Sequence, residues 1–280
     1  MSDRLAVLAQ YLLPKQALTA VAGRIASARG GALTTALITW FVRRYGVNMA
    51  EAANPAPGSY TTFNDFFTRA LQDQARPLAD AALICPVDGA ISQFGRIDGQ
   101  QIFQAKGHHY SSTALVGGDG ALAAQFDNGS FATLYLSPKD YHRIHMPCDG
   151  RLLRMIYVPG DLFSVNPATA RHVPGLFARN ERVVCVFESA HGPFALVLVG
   201  ATIVGSMATV WHGVVNARRT GRRSEWSYAD QNVNLRQGQE MGRFLLGSTV
   251  VLLFAQGALR FNPAWVSGRG IRLGEEMASR

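Results

Sequence analysis

The chain has 280 residues, of which 48% are hydrophobic and 16% are charged, and its formal net charge is +8. This composition excludes a disordered protein, and the length is sufficient for one large core or two modest ones. The excess of positive charge favours an anionic partner, which could be nucleic acid or an acidic membrane surface.

The three cysteines, Cys85, Cys148 and Cys185, lie far apart in apolar segments. An odd number without a CxxC pair indicates buried thiols in a reducing compartment and argues against a disulfide framework or a structural metal site. We expect no transmembrane helix, because no run of about 18 or more apolar residues occurs. The first residues also lack the pattern of a secretory signal.

Residues 1–50 contain short apolar stripes at helical spacing, interrupted at Pro14 and at Gly30-Gly31. Six basic residues against Asp3 alone give this segment a net charge of +5. Two interpretations fit the pattern. The helices could lie in the plane of a membrane surface, or they could simply cover the core of the protein.

The segment NPAPGS, which ends at Ser59, is typical of a linker. We therefore divide the chain into N-terminal helices, residues 1–58, and a second domain, residues 59–280. That domain begins with TTFNDFFTRAL, which predicts a helix with a capping box formed by Thr62 and Asp65.

From Leu83 onward the sequence is rich in strand patterns separated by Gly, Pro, Asn and Asp turns. The predicted strands are 83–92, 101–106, 131–137, 151–158, 181–188, 194–205, 208–215 and 248–255. Helices do not alternate with them, which favours an antiparallel arrangement over a doubly wound sheet. The predicted fold class is α+β, mostly β, with an antiparallel sandwich or barrel-like core behind the N-terminal amphipathic helices.

Three short motifs contain residues that could make a hydroxyl group nucleophilic. PVDGAIS contains Asp88, SPKDYHRIHMP contains His142 and His145, and LGST contains Ser248. A histidine can take the proton of a serine hydroxyl while a carboxylate orients and stabilises the imidazolium. Each motif alone also has a structural interpretation, as a turn or as a satisfied polar group in a loop.

Ser248 does not fit the nucleophile elbow of a hydrolase, because apolar strand-type residues follow it. The preceding glycine is informative. Without a Cβ, Gly247 allows a strained turn in which the serine oxygen attacks the carbonyl of Gly247 itself. The amide would become an ester, and elimination and hydrolysis would then leave a pyruvoyl group at a new N-terminus.

Further segments accompany these motifs in a fixed order along the chain. They are QAKGHHYS, YVPGDLFSVN, LFARNERV, VGATIVGS and GQEMGRF. Together the set closely resembles phosphatidylserine decarboxylase proenzymes of the bacterial membrane-associated type. The resemblance extends over nearly the whole chain, from YLLPK to the strand after Ser248. One departure is a short tail, since residues 248–280 are all that follow the cleavage point.

The resemblance implies roles for the matched residues. Asp88, His145 and Ser248 would form a self-processing triad that cuts between Gly247 and Ser248. The β chain, 1–247, and the α chain, 248–280, would stay associated. A covalent pyruvoyl cofactor made from Ser248 would form a Schiff base with phosphatidylserine, and loss of CO2 would give phosphatidylethanolamine. His142 is the candidate proton donor for this decarboxylation.

The resemblance also implies partners and a location. Phosphatidylserine is the expected substrate, with its phosphate held by Arg or Lys side chains. Residues 1–50 would dock on an anionic membrane surface, which places the protein peripherally on the cytoplasmic face of the cell membrane. A homodimer is left open, and nucleic acid is not expected, because the basic residues are not interleaved with aromatics.

Two alternative functions remain open at this point. A serine hydrolase could use the same Asp–His–Ser set without cutting its own chain. A non-catalytic module could bind anionic lipid through the N-terminal helices and would not need Ser248 at all.

Overall fold

The structure is a computed structural model that describes residues 3–202, 206–216, 219, 221–257 and 259–279, with only the backbone described for residues 3–6 and for Ser248. Its helices lie mostly near the N-terminus, with shorter ones between strands. They are α1 (Asp3–Leu12), α2 (Lys15–Ser27), α3 (Ala32–Tyr45), α4 (Phe63–Phe67), α5 (Ser112–Leu115), α6 (Gly120–Ala124), α7 (Pro167–Ala170) and α8 (Leu176–Arg179).

The N-terminal helices are interrupted where the apolar pattern predicted. Pro14 directly precedes α2, where the missing proline N–H is not needed, and Gly31 directly precedes α3. Gly46 ends α3 in a left-handed conformation and donates its N–H to the carbonyl of Val42. Among the described helices, none by itself has the length and apolarity of a membrane span. Helices α2 and α3 meet that criterion only as a pair, and a bend of 114° separates them.

Helices α1 to α3 and the turns beside them leave large apolar side chains uncovered. These are Leu8, Tyr11, Leu12, Leu13, Leu18, Val21, Ile25, Leu33, Trp40 and Tyr45. Large exposed apolar side chains concentrated on three successive helices are typical of an interaction surface.

Helix α4 starts with the predicted capping box. The Thr62 hydroxyl accepts the N–H of Asp65 at 3.0 Å, and the Asp65 carboxylate accepts the N–H of Thr62 at 3.0 Å. The three phenylalanines of α4 pack with Ile38 and Leu246 in a cluster separate from the main core. This cluster joins the N-terminal helices to the residue that precedes Gly247.

The remaining elements are mostly strands. They are β1 (Leu83–Ile84), β2 (Gly89–Arg96), β3 (Gln101–Ala105), β4 (His108–Ser111), β5 (Ser130–Leu136), β6 (Arg143–His145), β7 (Gly150–Val158), β8 (Arg182–Glu188), β9 (Phe194–Val199), β10 (Met207–Thr209), β11 (Gly213–Val214), β12 (Ser224–Ser227), β13 (Asn234–Leu235), β14 (Glu240–Phe244), β15 (Ser248–Phe254), β16 (Arg260–Phe261), β17 (Gly270–Ile271) and β18 (Glu276–Ser279).

The largest sheet of the described chain is antiparallel, in the order β12-β7-β8-β9-β15-β5-β2-β17, with β13 also paired to β7. A second sheet has the order β11-β10-β14-β6, and smaller ones join β1-β18-β16 and β3-β4. This confirms the mostly β, antiparallel α+β fold with N-terminal helices. The large sheet does not close into a barrel within the described residues, since β12 and β17 lie at its two ends.

Some predicted strands are shorter or divided. The strand predicted over 83–92 is two strands, β1 and β2, with the segment around Asp88 between them. Gly89 begins β2 so close to β5 that a Cβ on it would overlap the carbonyl of Tyr135. The strand predicted over 208–215 is a hairpin of β10 and β11, with a left-handed turn residue at Gly213. The strand predicted over 194–205 ends at Val199, and residues 203–205 lie outside the described chain.

Candidate active site

Gly247 and Ser248 lie where the two larger sheets meet. Strand β14 belongs to the smaller of these sheets, and the next strand, β15, is central in the large one, so residues 245–247 cross between them. Ser248 opens β15 opposite Leu136 of β5. The apolar run behind it is completely buried, which holds the start of the strand in place. The side chain of Ser248 lies outside the described structure.

The unusual backbone conformation lies one residue earlier than we expected. Leu246 has a φ of 147°, whereas no positive φ occurs at Gly247. L-residues rarely adopt this φ, so the strain that we placed at Gly247 is located at Leu246. A Cβ on Gly247 would make ordinary contacts, 3.6 Å from Nε2 of His142 and 4.0 Å from Phe67. A side chain at position 247 would therefore lie in van der Waals contact with the His142 ring.

His142 is fully buried beside Gly247. Its backbone carbonyl accepts the N–H of Phe244 at 3.0 Å, and its ring packs on Phe67 with centroids 4.1 Å apart. Nδ1 lies 2.8 Å from the carbonyl of Asp140, which can only accept, so Nδ1 carries the hydrogen and Nε2 carries the lone pair. Nε2 has no hydrogen-bond partner among the described residues. Burial lowers the pKa of His142 to about 3, so the ring is neutral near pH 7.

His145 lies on β6 with partners at both ring nitrogens. Nδ1 is 2.8 Å from the carbonyl of Gly238, and Nε2 is 3.2 Å from the hydroxyl of Tyr141. Nδ1 therefore donates and Nε2 accepts from Tyr141. Burial lowers the pKa of His145, and the Asp88 charge acts in the opposite direction as a smaller influence.

The Asp88 carboxylate accepts hydrogen bonds from groups other than His145. Its carboxylate accepts from Nε of Arg76 at 2.9 and 3.1 Å and from the N–H of Leu273 at 2.9 Å. Arg76 also pairs with Glu51 at 2.7 Å. The described hydrogen bonds therefore do not join Asp88 to His145, although Asp88 and Tyr141 line the same cavity of about 230 Å³.

An apolar cavity of about 210 Å³ adjoins Gly247. Aromatic side chains of α3 and α4 form one wall, and the segment around Ser164 and the end of β5 form the other. Its lining residues are Phe41, Tyr45, Phe67, Tyr135, Leu136, Pro138, Ser164, Val165, Asn166, Ala201, Thr202, Leu246 and Gly247. No Arg or Lys occurs among them, so the expectation that basic side chains hold the substrate phosphate stays a prediction.

Sequence reasoning missed several groups near these residues. Tyr141 lies inside the motif that was noted for its histidines, and its phenol is buried against His145. Arg69 is 4% exposed and donates to the carbonyl of Lys139 at 3.2 Å. Burial is the main cause of the low pKa of His142, and the charge of Arg69 is a smaller one. No local pattern marks Arg69 or Arg76, because their partners are brought to them by the tertiary fold.

Comparison with known proteins gives a consistent result over the whole chain. A family model described as phosphatidylserine decarboxylase matches residues 63–279, and a second model, described as PSD, matches residues 5–46. A phosphatidylserine decarboxylase proenzyme of Albidiferax ferrireducens is 78% identical, covering 99% of this chain and 98% of its own length. Proenzymes of the same name from Dechloromonas aromatica and Acidovorax ebreus are each 72% identical, covering 100% of this chain and 99% of their own length.

Proposed function

Because this chain belongs to the phosphatidylserine decarboxylase family, and is thus a decarboxylase that acts on phosphatidylserine, we propose that it works through a pyruvoyl group made from its own Ser248. One observation carries the proposal. Gly247 adjoins the first residue of a central strand, and Nε2 of the buried His142, which has no hydrogen-bond partner among the described residues, lies 3.6 Å from the position that a Cβ of Gly247 would occupy. The proenzyme names of the relatives support a chain that is processed before it acts.

The processing step is an internal acyl shift followed by elimination. The Ser248 oxygen bonds to the carbonyl carbon of Gly247, and the peptide bond from that carbon to the nitrogen of Ser248 breaks. The hydroxyl proton goes to a base, and the released nitrogen gains a proton. A base then removes the α-proton of residue 248 and its Cβ–O bond breaks, which frees the Gly247 carboxylate as the end of the β chain and leaves a dehydroalanine. This enamine takes up a proton at Cβ, and water replaces the resulting imine nitrogen, which leaves as ammonia and yields the pyruvoyl group. The sequence of steps balances without an oxidant.

We assign the base of this step to His145, with Asp88 stabilising its protonated ring. In the described structure both groups have other partners, Tyr141 for His145 and Arg76 for Asp88. Assembly of the triad therefore requires these hydrogen bonds to exchange. The Asp88 charge already favours the protonated ring of His145, in the direction that a base needs.

The residues around Gly247 fit a pyruvoyl group at the new N-terminus, which when formed supplies an electron sink for the pair left by departing CO2. His142 would hold the proton. Its Nε2 is neutral in the described structure because burial lowers the ring pKa to about 3, so the negative charge of the bound substrate would have to raise that pKa before Nε2 could carry a proton to the α-carbon. Phe41, Phe67 and Leu246 give this cavity an apolar wall beside Gly247.

We further propose that the N-terminal helices dock the enzyme on the cytoplasmic face of the cell membrane. A diacyl substrate resides in a bilayer, and the uncovered apolar side chains of α1 to α3 provide a surface that could enter its interface. The net charge of +5 over residues 1–50 suits an anionic leaflet. Helix α3 contributes both to this surface, through Trp40, and to the cavity at Gly247, through Phe41.

The test measures CO2 released from phosphatidylserine in mixed detergent micelles. Wild-type protein is expected to release it, and Ser248→Ala to release none and to remain a single chain. Ser267→Ala removes an exposed serine away from this cavity and should match the wild type. Decarboxylation by an uncut Ser248→Ala protein would overturn the pyruvoyl proposal while leaving the family assignment intact.

A further inference from the structure

A second cleft contains the end of the 164–172 segment that does not line the cavity at Gly247. It has a volume of about 550 Å³ and is bounded by α1, the β3–β4 hairpin and the residues after α7. Its lining residues are Val7, Leu8, Tyr11, Lys106, His108, Arg171 and His172. Among the described side chains, the lining contains two cationic groups and two histidines but no carboxylate, and it shares no residue with the cavity at Gly247.

The hairpin fixes the position of one cation. Lys106 and Gly107 are the two turn residues between β3 and β4, and both have positive φ, 46° and 78°. This is the combination that a type I′ turn requires, and the twist of such a turn matches that of the strands that it joins. Lys106 is exposed at the tip of this hairpin and lines the cleft.

Helix α1 forms the opposite wall and is held against the catalytic domain. The side-chain oxygen Oε1 of Gln10 accepts the N–H of Ser164 at 2.9 Å, and its side-chain Nε2 donates to the hydroxyl of Thr169 at 3.2 Å. The ring of Tyr11 packs edge-on against Phe163 with centroids 4.8 Å apart. These contacts preform the cleft, so a ligand does not have to order it.

The apolar side chains of the cleft belong to the proposed docking surface. Leu8 is 60% exposed and Tyr11 is 46% exposed, and Leu12 continues the apolar surface along α1. The lining of the cleft therefore combines cationic and apolar side chains. A free anion needs the first feature alone, whereas a phospholipid needs both, because its head group is charged and its chains are not.

We propose that this cleft binds the head group of an anionic phospholipid of the membrane, separately from the substrate in the catalytic cavity. The phosphate lies between Lys106 and Arg171, and the acyl chains leave over Leu8 and Tyr11. This inference rests on the proposed docking through residues 1–50 but not on the pyruvoyl chemistry. Its effect is to orient the docked enzyme, because one end of the 164–172 segment lines each site.

The test compares binding of the full-length protein to vesicles of phosphatidylcholine with and without phosphatidylglycerol, measured by co-sedimentation. The variant is Lys106→Asn/Arg171→Gln. Asparagine tolerates the left-handed φ at position 106, so the turn is retained while the charge is removed. Arg96→Gln/Arg260→Gln is the matched control, because it removes the same charge at exposed strand residues outside both sites.

For the cleft variant we expect about a thirtyfold loss of affinity for phosphatidylglycerol vesicles, since each basic residue near such a surface contributes about fivefold. The control should lose less than about threefold. Equal losses in the two variants, or none in either, would overturn the cleft while leaving membrane docking in place. If the wild-type protein binds neither kind of vesicle, both the proposed membrane docking and the proposed lipid site in the cleft are wrong.

A soluble anion is the competing occupant. Inorganic phosphate is titrated into the wild-type protein without lipid and followed by calorimetry. Our proposal expects no saturable binding at concentrations where phosphatidylglycerol vesicles are bound. Saturable phosphate binding that the Lys106→Asn/Arg171→Gln variant loses would assign the cleft to a soluble anion and overturn the lipid assignment.

Discussion

Leu246 allows backbone strain at the cleavage site to be separated from side-chain packing. Its φ of 147° lies in a region that costs a non-glycine residue about 1–3 kcal/mol. Leu246→Ala and Leu246→Gly remove the same packed atoms beyond Cβ, but the glycine variant alone relieves the strain. Glycine costs about 0.5–1 kcal/mol in flexibility relative to alanine. The glycine variant should therefore be the more stable of the two, by about 1 kcal/mol.

The same strain is expected to promote processing, because it is released when the peptide bond after Gly247 breaks. Loss of about 1 kcal/mol of strain energy raises the barrier to cleavage by that amount. Cleavage should therefore be about fivefold slower in Leu246→Gly than in Leu246→Ala. Cleavage is followed in cell-free synthesis by formation of the 33-residue fragment. Stability is measured by urea unfolding of both variants on a Ser248→Ala background, which keeps the chain whole. A glycine variant that is less stable than the alanine variant and cleaves equally fast would refute this reasoning.

Three other predictions concern the histidines and helix α1. His145→Ala should leave the chain uncut, whereas His142→Ala should still be cut and lose CO2 release; an uncut His142→Ala protein would show that Nε2 beside Gly247 is the processing base instead. The pKa of His142 is about 3 in the folded protein and 6.5 ordinarily, so between these values the unfolded chain binds a proton that the folded protein does not. The free energy of unfolding therefore falls as the pH is lowered from 6.5 towards 3. At pH 5 the loss is about 2 kcal/mol in urea unfolding, and the pH dependence of a His142→Gln variant should be weaker by this amount. Gln10→Ala should lower kcat/KM on phosphatidylserine vesicles about tenfold, because the N–H of Ser164 loses its acceptor. Gln10→Glu keeps a side-chain oxygen as acceptor and should keep part of the activity. Equal losses in the two variants would contradict a positioning role.

Local signals made parts of the fold predictable. The capping box at Thr62 and the helix breaks at Pro14 and Gly30-Gly31 depend on residues within one turn of each other, and the structure has them as expected. The mostly β core followed from apolar runs bounded by turn residues. Strand lengths were less predictable, because the division near Asp88 depends on a close approach of Gly89 to a distant strand.

The site was predictable as a set of residues but not as a set of contacts. The motif order identified Asp88, His142, His145 and Gly247, and the fold brings His142 beside Gly247. The partners of these groups are far away in sequence or lack a pattern. Arg76, for example, bridges Asp88 to Glu51, and the sequence does not show this pairing. Nor does it show that Asp88 must exchange its hydrogen bonds to Arg76 for one to His145 before a triad can form.

The central claim is that Ser248 becomes the cofactor and does not remain a serine. Intact-mass analysis of the purified protein tests it most directly, with Edman sequencing of the fragments. We expect chains of 247 and 33 residues, with the smaller one blocked at its N-terminus and lighter than the corresponding serine peptide. A single uncut chain of 280 residues with full decarboxylase activity would contradict the account.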